Sequence, residues 1–215
     1  MNSVSMRISI SKNSLILALF AALTVGVVAS IQQLTKEPIL EAQKRVQIAA
    51  LSEIFPSSLY DNNLIETQIT LNEPALGHRS ETQAFLAYLN NQPAGIILQA
   101  TAPDGYSGSI ELLVGITAEG ELSGVRVISH KETPGLGDKI ERIKSDWITS
   151  FNNKSLRNTP ESHWNVKKDG GEFDQFAGAT ITPRAVVKAV QRSLVYFDIN
   201  KEALFALHDH SEVTP

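Results

Sequence analysis

The sequence predicts an α+β protein: an antiparallel sheet flanked by helices, with one N-terminal transmembrane helix. Three observations carry that prediction. An uncharged apolar stretch of membrane-spanning length lies near the start. Three β-rich runs between residues 94 and 129 are joined by connections too short for a parallel crossover. A last segment places apolar residues at helical spacing behind a Thr-Pro pair.

The first element is "NSLILALFAALTVGVVASIQQLT", residues 13–35, with no charge between Lys12 and Lys36. At about 1.5 Å per residue it makes a helix about 34 Å long, enough to cross a hydrocarbon core of about 30 Å. Arg7 and Lys12 precede it and the first acid is Glu37. That bias leaves residues 1–12 as a cytoplasmic tail and puts the rest of the chain outside, on the periplasmic face of a bacterial inner membrane. Val27-Val28-Ala29 would instead suit a cleaved signal peptide. The uncharged run on to Thr35 favours an uncleaved anchor. Residues 36–56 then carry apolar positions at loosely helical spacing, ended by Pro56, and read as a helical stalk.

Residues 57–207 form the main domain. Its first part, 57–80, has weak patterning and reads mainly as loops, with an earlier strand near Phe85 to Leu89. "AGIILQAT", "SIELLVGIT" and "LSGVRVIS" follow as strands, separated by the turn compositions "APDGYSG" and "AEGE". Short connections make them antiparallel neighbours. A helix is expected from about Asp138 to Phe151, then a long irregular stretch to Ala179. The final helix starts at Thr182-Pro183, with Thr as N-cap and Pro in the first turn. Val186, Val187, Val190, Leu194 and Phe197 give its apolar face. Residues 208–215 read as a flexible polar tail.

Composition narrows the function. Apolar residues make up 42% and charged residues 20% of the 215, which fits a folded chain. A formal net charge of −4 without a Lys/Arg cluster argues against a nucleic-acid partner. The lack of cysteine excludes disulfides, thiolate chemistry, iron–sulfur ligation and Cys-type zinc sites. Asp169, Glu172 and Asp174 do not have EF-hand spacing. No Ser/His/Asp order or paired carboxylates point to hydrolysis.

One stretch suggests a ligand. In "DQFAGATIT", residues 174–182, a run of small residues leads into a helix start. Helix starts offer free backbone N–H groups and partial positive charge, which suit a phosphate. Gly178, beside Ala177 and Ala179, lets a bulky group come close. The residues alone suggest a phosphate near the Thr180 hydroxyl; they do not imply a covalent bond, and an ordinary capped helix is the simpler account of them.

The same stretch resembles the flavin-attachment motif, Asp-x-x-Ser/Thr-Gly-Ala-Thr, of a family of FMN-binding membrane subunits. That family comprises the G subunit of the Rnf/Rsx electron-transport complex and the C subunit of the sodium-pumping NADH:quinone reductase. Asp174, Gly178, Ala179 and Thr180 match; Ala177 stands where Ser or Thr is usual. "DGYSGSIELLVGI", "HKETPGLGDKI" and "VKKDGGEFDQF" resemble the family's other stretches, in the same order. The resemblance covers nearly the whole chain and leans towards the Rnf/Rsx branch.

It implies FMN joined through its phosphate to Thr180 by a flavin transferase, in an electron-relay subunit rather than a stand-alone enzyme. It also implies partner subunits, within a complex that couples electron flow to ion movement. Around that cofactor, Thr133, Gly135 and Gly137 of "ETPGLG" make a tight loop suited to lie against a flat ring, Leu136 covers a ring face, and Lys168 is a counter-charge for the phosphate. His130, beside that loop, receives no role. A second reading keeps the fold as a non-redox, membrane-anchored scaffold without flavin, and Ala177 is the feature that leaves it open.

Overall fold

The computed structural model describes the backbone of residues 3–78 and 80–211, and side chains at 13–36, 48–78 and 80–207. A first unit covers residues 1–47 and a second runs from Ile48 to Pro215.

The first unit consists of most of helix α1, Ser3–Ile54, which enters the second unit at Ile48. Within α1, Asn13–Lys36 has a mean hydropathy of 2.5 and no buried residue. A helix apolar on all sides and packed against nothing is one suited to lipid. The span expected at 13–35 and the helical stalk after it therefore fall on one continuous helix. The tail expected at 1–12 is helical from Ser3.

In the second unit, five strands form a simple antiparallel meander in the order β1-β2-β3-β4-β5. They are β1 (Gln68–Leu71), β2 (Thr82–Leu89), β3 (Gln92–Ala102), β4 (Ile110–Thr117) and β5 (Leu122–Ser129). Asn90 and Asn91, both at positive φ, make the two-residue β2–β3 turn. Positive φ at both positions is what the primed hairpin turns require, and Asn tolerates it. The β1 segment corrects the reading of 57–80 as mainly loops. It is only four residues long, and it pairs with β2 from Gln68↔Phe85 to Leu71↔Thr82.

The sheet is buried on one face and partly on the other, and its two-residue period sorts the side chains. Ala84, Leu86, Ile96, Leu98, Leu112, Val114 and Ile116 point to one face. There they meet Val186, Val187, Val190, Leu194 and Phe197 of helix α2, Ile181–Ser211. Burying each such side chain contributes about 1.5–3 kcal/mol, so this face is the main source of cohesion. Phe85, Ala87 and Ile97 point the other way, onto Leu51, Ile54, Phe55 and Leu64. The last turn of α1 thus covers part of the outer face.

The helix expected over 138–151 is absent. Two short 3₁₀ turns, Asp138–Ile140 and Asp146–Phe151, stand in its place. Glu141 and Ser145 are extended, at ψ 133° and 151°, and the Ser145 side chain accepts from Trp147 N–H to start the second turn. Tertiary packing of Ile140, Trp147, Ile148 and Phe151 overrides the helical spacing. The tail expected from His208 is helical to Ser211, and 212–215 lie outside the described residues.

Candidate functional site

Three segments converge at one end of the sheet on an open cleft of about 320 Å³. Its walls are Tyr106 from the β3–β4 loop, Glu132 to Gly137 from the loop after β5, and Gly178 to Thr182 at the start of α2. The volume is at the lower end of the range typical of small-molecule sites.

Two of the walls share one local design. In Thr133-Pro134-Gly135-Leu136, the Leu136 N–H donates to the Thr133 carbonyl at 3.1 Å, and Gly135 has φ +78°. In Phe176-Ala177-Gly178-Ala179, the Ala179 N–H donates to the Phe176 carbonyl at 3.1 Å, and Gly178 has φ +80°. Positive φ at the third residue marks a type II turn and selects glycine; Pro134 suits the second. The turns meet: a Cβ on Gly178 would lie 3.5 Å from Leu136 Cδ2.

Behind the second turn, Thr180 is the residue before α2, and its carbonyl accepts from Arg184 N–H at 3.4 Å. Thr180 therefore stands at the N-cap. This corrects the expected cap at Thr182, whose side chain is fully buried and donates its hydroxyl to the Glu132 carboxylate. The N–H groups of Ile181 and Thr182 belong to a first turn with no intrahelical acceptor, and Pro183 has none to leave unpaired. Thr180, Ile181 and Thr182, at the positive end of a 31-residue helix, thus line one cleft.

Of the residues singled out from sequence, Thr180, Gly178, Ala179, Thr133 and Leu136 line this cleft. Gly135 shapes the loop from just behind. Asp174 and Lys168 do not line it. Asp174 is exposed and pairs with Lys167 at 2.7 Å, while its carbonyl accepts from the Trp147 indole N–H at 2.8 Å. Trp147 also packs edge-on against Phe176 and Phe151, and so anchors the segment leading into the turn. The Lys168 backbone N–H donates to Gln175 at 3.2 Å.

The acids of "DGGEFD" are each matched to a base: Asp169 with Arg184, Glu172 with Lys154, Asp174 with Lys167. Arg184 clasps Asp169 with two bonds, of 2.7 and 3.1 Å. Its guanidinium holds the Asp169 carboxyl below the usual carboxylate range. Among the described residues, no group of three or more His, Cys, Asp or Glu is placed to hold a metal.

Sequence reasoning missed two features of the surroundings. Arg184 sits one helical turn beyond Thr180, outside the cleft lining, and only the position of the cap reveals that. Tyr106, 68% exposed, belongs to one of the stretches that carry the family resemblance. Glu132 is 4% exposed, and its partners are 25 and 50 residues away. A lone Glu beside a glycine loop gives no sign of burial. His130 supports it: Nδ1 accepts from Glu132 N–H at 3.0 Å and Nε2 contacts Glu141 at 2.9 Å, which fixes the ring and its tautomer.

Two family patterns and several relatives match the chain. The pattern of the FMN-binding domain matches residues 105–195, a span that contains all three walls. The pattern of the RnfG N-terminal region matches residues 1–54, the whole of α1. The G subunit of the ion-translocating oxidoreductase complex of Pseudomonas aeruginosa is 53% identical over 201 residues, 93% of this chain and 94% of its own length. Its namesake from Shewanella oneidensis is 48% identical over 197 residues, covering 91% and 92%. That from Salmonella typhi is 50% identical over 188 residues, covering 87% and 91%.

Proposed function

We propose a function that proceeds from kinship: the chain belongs to the family of G subunits of ion-translocating oxidoreductase complexes. Within such a complex it serves as a membrane-anchored electron-relay subunit, carrying FMN joined by a phosphoester bond to Thr180. The observation that carries the reading is the position of the Thr180 hydroxyl. It stands at a helix N-cap, on the wall of the cleft where the glycine turn and the attachment turn meet.

The residues present fit such a group. The Thr180 oxygen would bear the phosphate. The N–H groups of Ile181 and Thr182 and the α2 dipole would balance its charge. Arg184, one turn on, adds a cation whose own charge is shared with Asp169. Lys168 contributes at longer range. Small residues at 177–179 let the phosphate end approach the backbone, and Gly135 opens the opposite turn. Thr133 and Leu136 offer a polar and an apolar contact to a flat ring, and Tyr106 closes the third side. Bound FMN supplies one- and two-electron redox chemistry; the protein supplies position, field and shielding from water. Asp174, exposed and outside the cleft, suits recognition by the flavin transferase that makes the bond.

Asn13–Lys36 is the anchor. With Arg7 and Lys12 ahead of it and no acid before Glu37, the N-terminus lies in the cytoplasm and the sheet domain in the periplasm. There, a lost FMN could not be replaced from the cytoplasmic pool, which is a reason to bond it.

The test is in-gel flavin fluorescence after denaturing electrophoresis of the exported full-length protein, with and without the transferase. A fluorescent wild-type band that needs the transferase and disappears in Thr180→Ala is the expected result. Covalent flavin persisting in Thr180→Ala excludes this site. A dark wild-type band beside an active transferase and a positive control favours the flavin-free scaffold.

A further inference from the structure

One side chain touches all three walls of the cleft, and it is buried and acidic. Glu132 follows β5 and is 4% exposed. Its Oε1 accepts from the Ser107 N–H at 2.9 Å, in the β3–β4 loop next to Tyr106. Its Oε2 accepts from the Thr182 hydroxyl, in the first turn of α2. Its own backbone begins the Thr133–Leu136 turn. Two glycines make room for it. A Cβ on Gly105 would come within 3.0 Å of Oε1, and one on Gly137 within 2.9 Å of Glu132 Cβ and 3.0 Å of Oε2.

A buried carboxylate is costly to desolvate, and an apolar side chain in the same space would avoid that cost. What the carboxylate provides is connection. Neither loop belongs to a helix or strand, and the Thr182 hydroxyl in the first turn of α2 is bound to Glu132. Both oxygens act as acceptors, the pattern of the ionised form. A negative charge is therefore fixed in the cleft wall, where the dielectric is lower than in water.

We infer that Glu132 is the positioning residue of the cofactor cleft: it clamps the three walls together before flavin arrives, and its charge holds the potential of the bound flavin down. The inference about potential rests on the reading of the cleft as the FMN site; the clamp does not. The field argument is one of sign. A fixed negative charge beside the cofactor opposes the addition of electrons, so removing it makes reduction easier.

Two variants separate geometry from charge. Glu132→Ala removes both bonds. Glu132→Gln keeps the shape: its carbonyl can accept from Ser107 N–H, and its amide faces the Thr182 hydroxyl, which can accept. Amide hydrogen exchange on the full-length, flavin-free protein reads the clamp. In Glu132→Ala, exchange should rise about tenfold at 103–109, 132–137 and 176–183 together, as buried groups lose charged partners. Glu132→Gln should restore most of that protection and also normal flavin loading. A redox titration of flavin-loaded Glu132→Gln should give a potential more positive than wild type.

The clamp is overturned if Glu132→Ala leaves the three segments protected, if the rise is confined to one of them, or if Glu132→Gln exchanges as fast as Glu132→Ala. An unchanged or more negative potential in Glu132→Gln overturns the role of the charge. A dark wild-type band in the fluorescence test removes the attachment reading alone, because the exchange experiment needs no flavin.

Discussion

Replacing Gly178 by Ala tests whether the Phe176–Ala179 turn is built on backbone conformation rather than on space. At φ +80°, an L-residue pays a steric penalty that glycine does not, about 1–2 kcal/mol. The contact itself adds nothing, since the new Cβ would lie 3.5 Å from Leu136 Cδ2, an ordinary van der Waals separation. Gly135 is an internal control. It has φ +78° and no atom within 4 Å of its would-be Cβ, so Gly135→Ala carries the same strain with no contact at all. For a folded unit of this size, 1 kcal/mol moves Tm by about 2–4 °C, so each variant should melt about 2–8 °C lower. Gly178→Asn should recover part of the loss, because Asn enters the left-handed region more readily. The assay is thermal unfolding of the flavin-free full-length protein in detergent, with flavin loading measured in parallel. Loading should fall in Gly178→Ala more than in Gly135→Ala, because only the first strains the turn that presents Thr180. If both alanine variants melt within about 1 °C of wild type, or if Gly178→Asn is no better than Gly178→Ala, the conformational argument is wrong.

Two further predictions concern charge and topology. Because Arg184 lowers the folded-state value of the Asp169 carboxyl, the pair stabilises the fold above the unfolded carboxyl value of about 3.9 and loses that effect as pH falls through the lower folded value. The Tm gap between wild type and Asp169→Asn should be constant from pH 7 to about pH 5 and close in stronger acid; a gap that widens on acidification contradicts the pairing. Since the chain has no cysteine, Glu119→Cys in the exposed β4–β5 turn introduces a single thiol. A membrane-impermeant maleimide should label it in intact spheroplasts; labelling only after lysis would put the domain on the cytoplasmic side.

What is legible in the sequence follows from how local each signal is. β3, β4 and β5 are readable because alternating Ile, Val and Leu runs sit between turn residues. The α2 face is readable because five apolar residues recur at helical spacing. β1 is not: "QITL" is four residues long, and its strand character comes from pairing with β2. Residues 138–151 carry helical spacing, yet extended backbone at Glu141 and Ser145 divides them into 3₁₀ turns, a result of packing that no propensity records. At the site, the two glycine turns can be suspected from composition, but their contact through Leu136 and Gly178 spans about forty residues of chain.

The division between rigid and adjustable parts explains why the cleft lies where it does. α2 covers one face of the sheet and the end of α1 part of the other. The cleft lies at the loop end, and loops alone do not hold a cleft in shape. Two devices supply what the loops lack. α2 brings a rigid helix start to the site, anchored along its length by Val186 to Phe197, so that Thr180 moves with the core rather than with the loop before it. Glu132 then ties both loops to that start. Thr180 is thus placed by a helix packed on the sheet, and the loops beside it are joined to that helix by one carboxylate. Weakening α2 packing, as in Val190→Ala, should therefore lower stability and flavin loading together, whereas Glu132→Ala should affect loading and loop protection out of proportion to its effect on global unfolding.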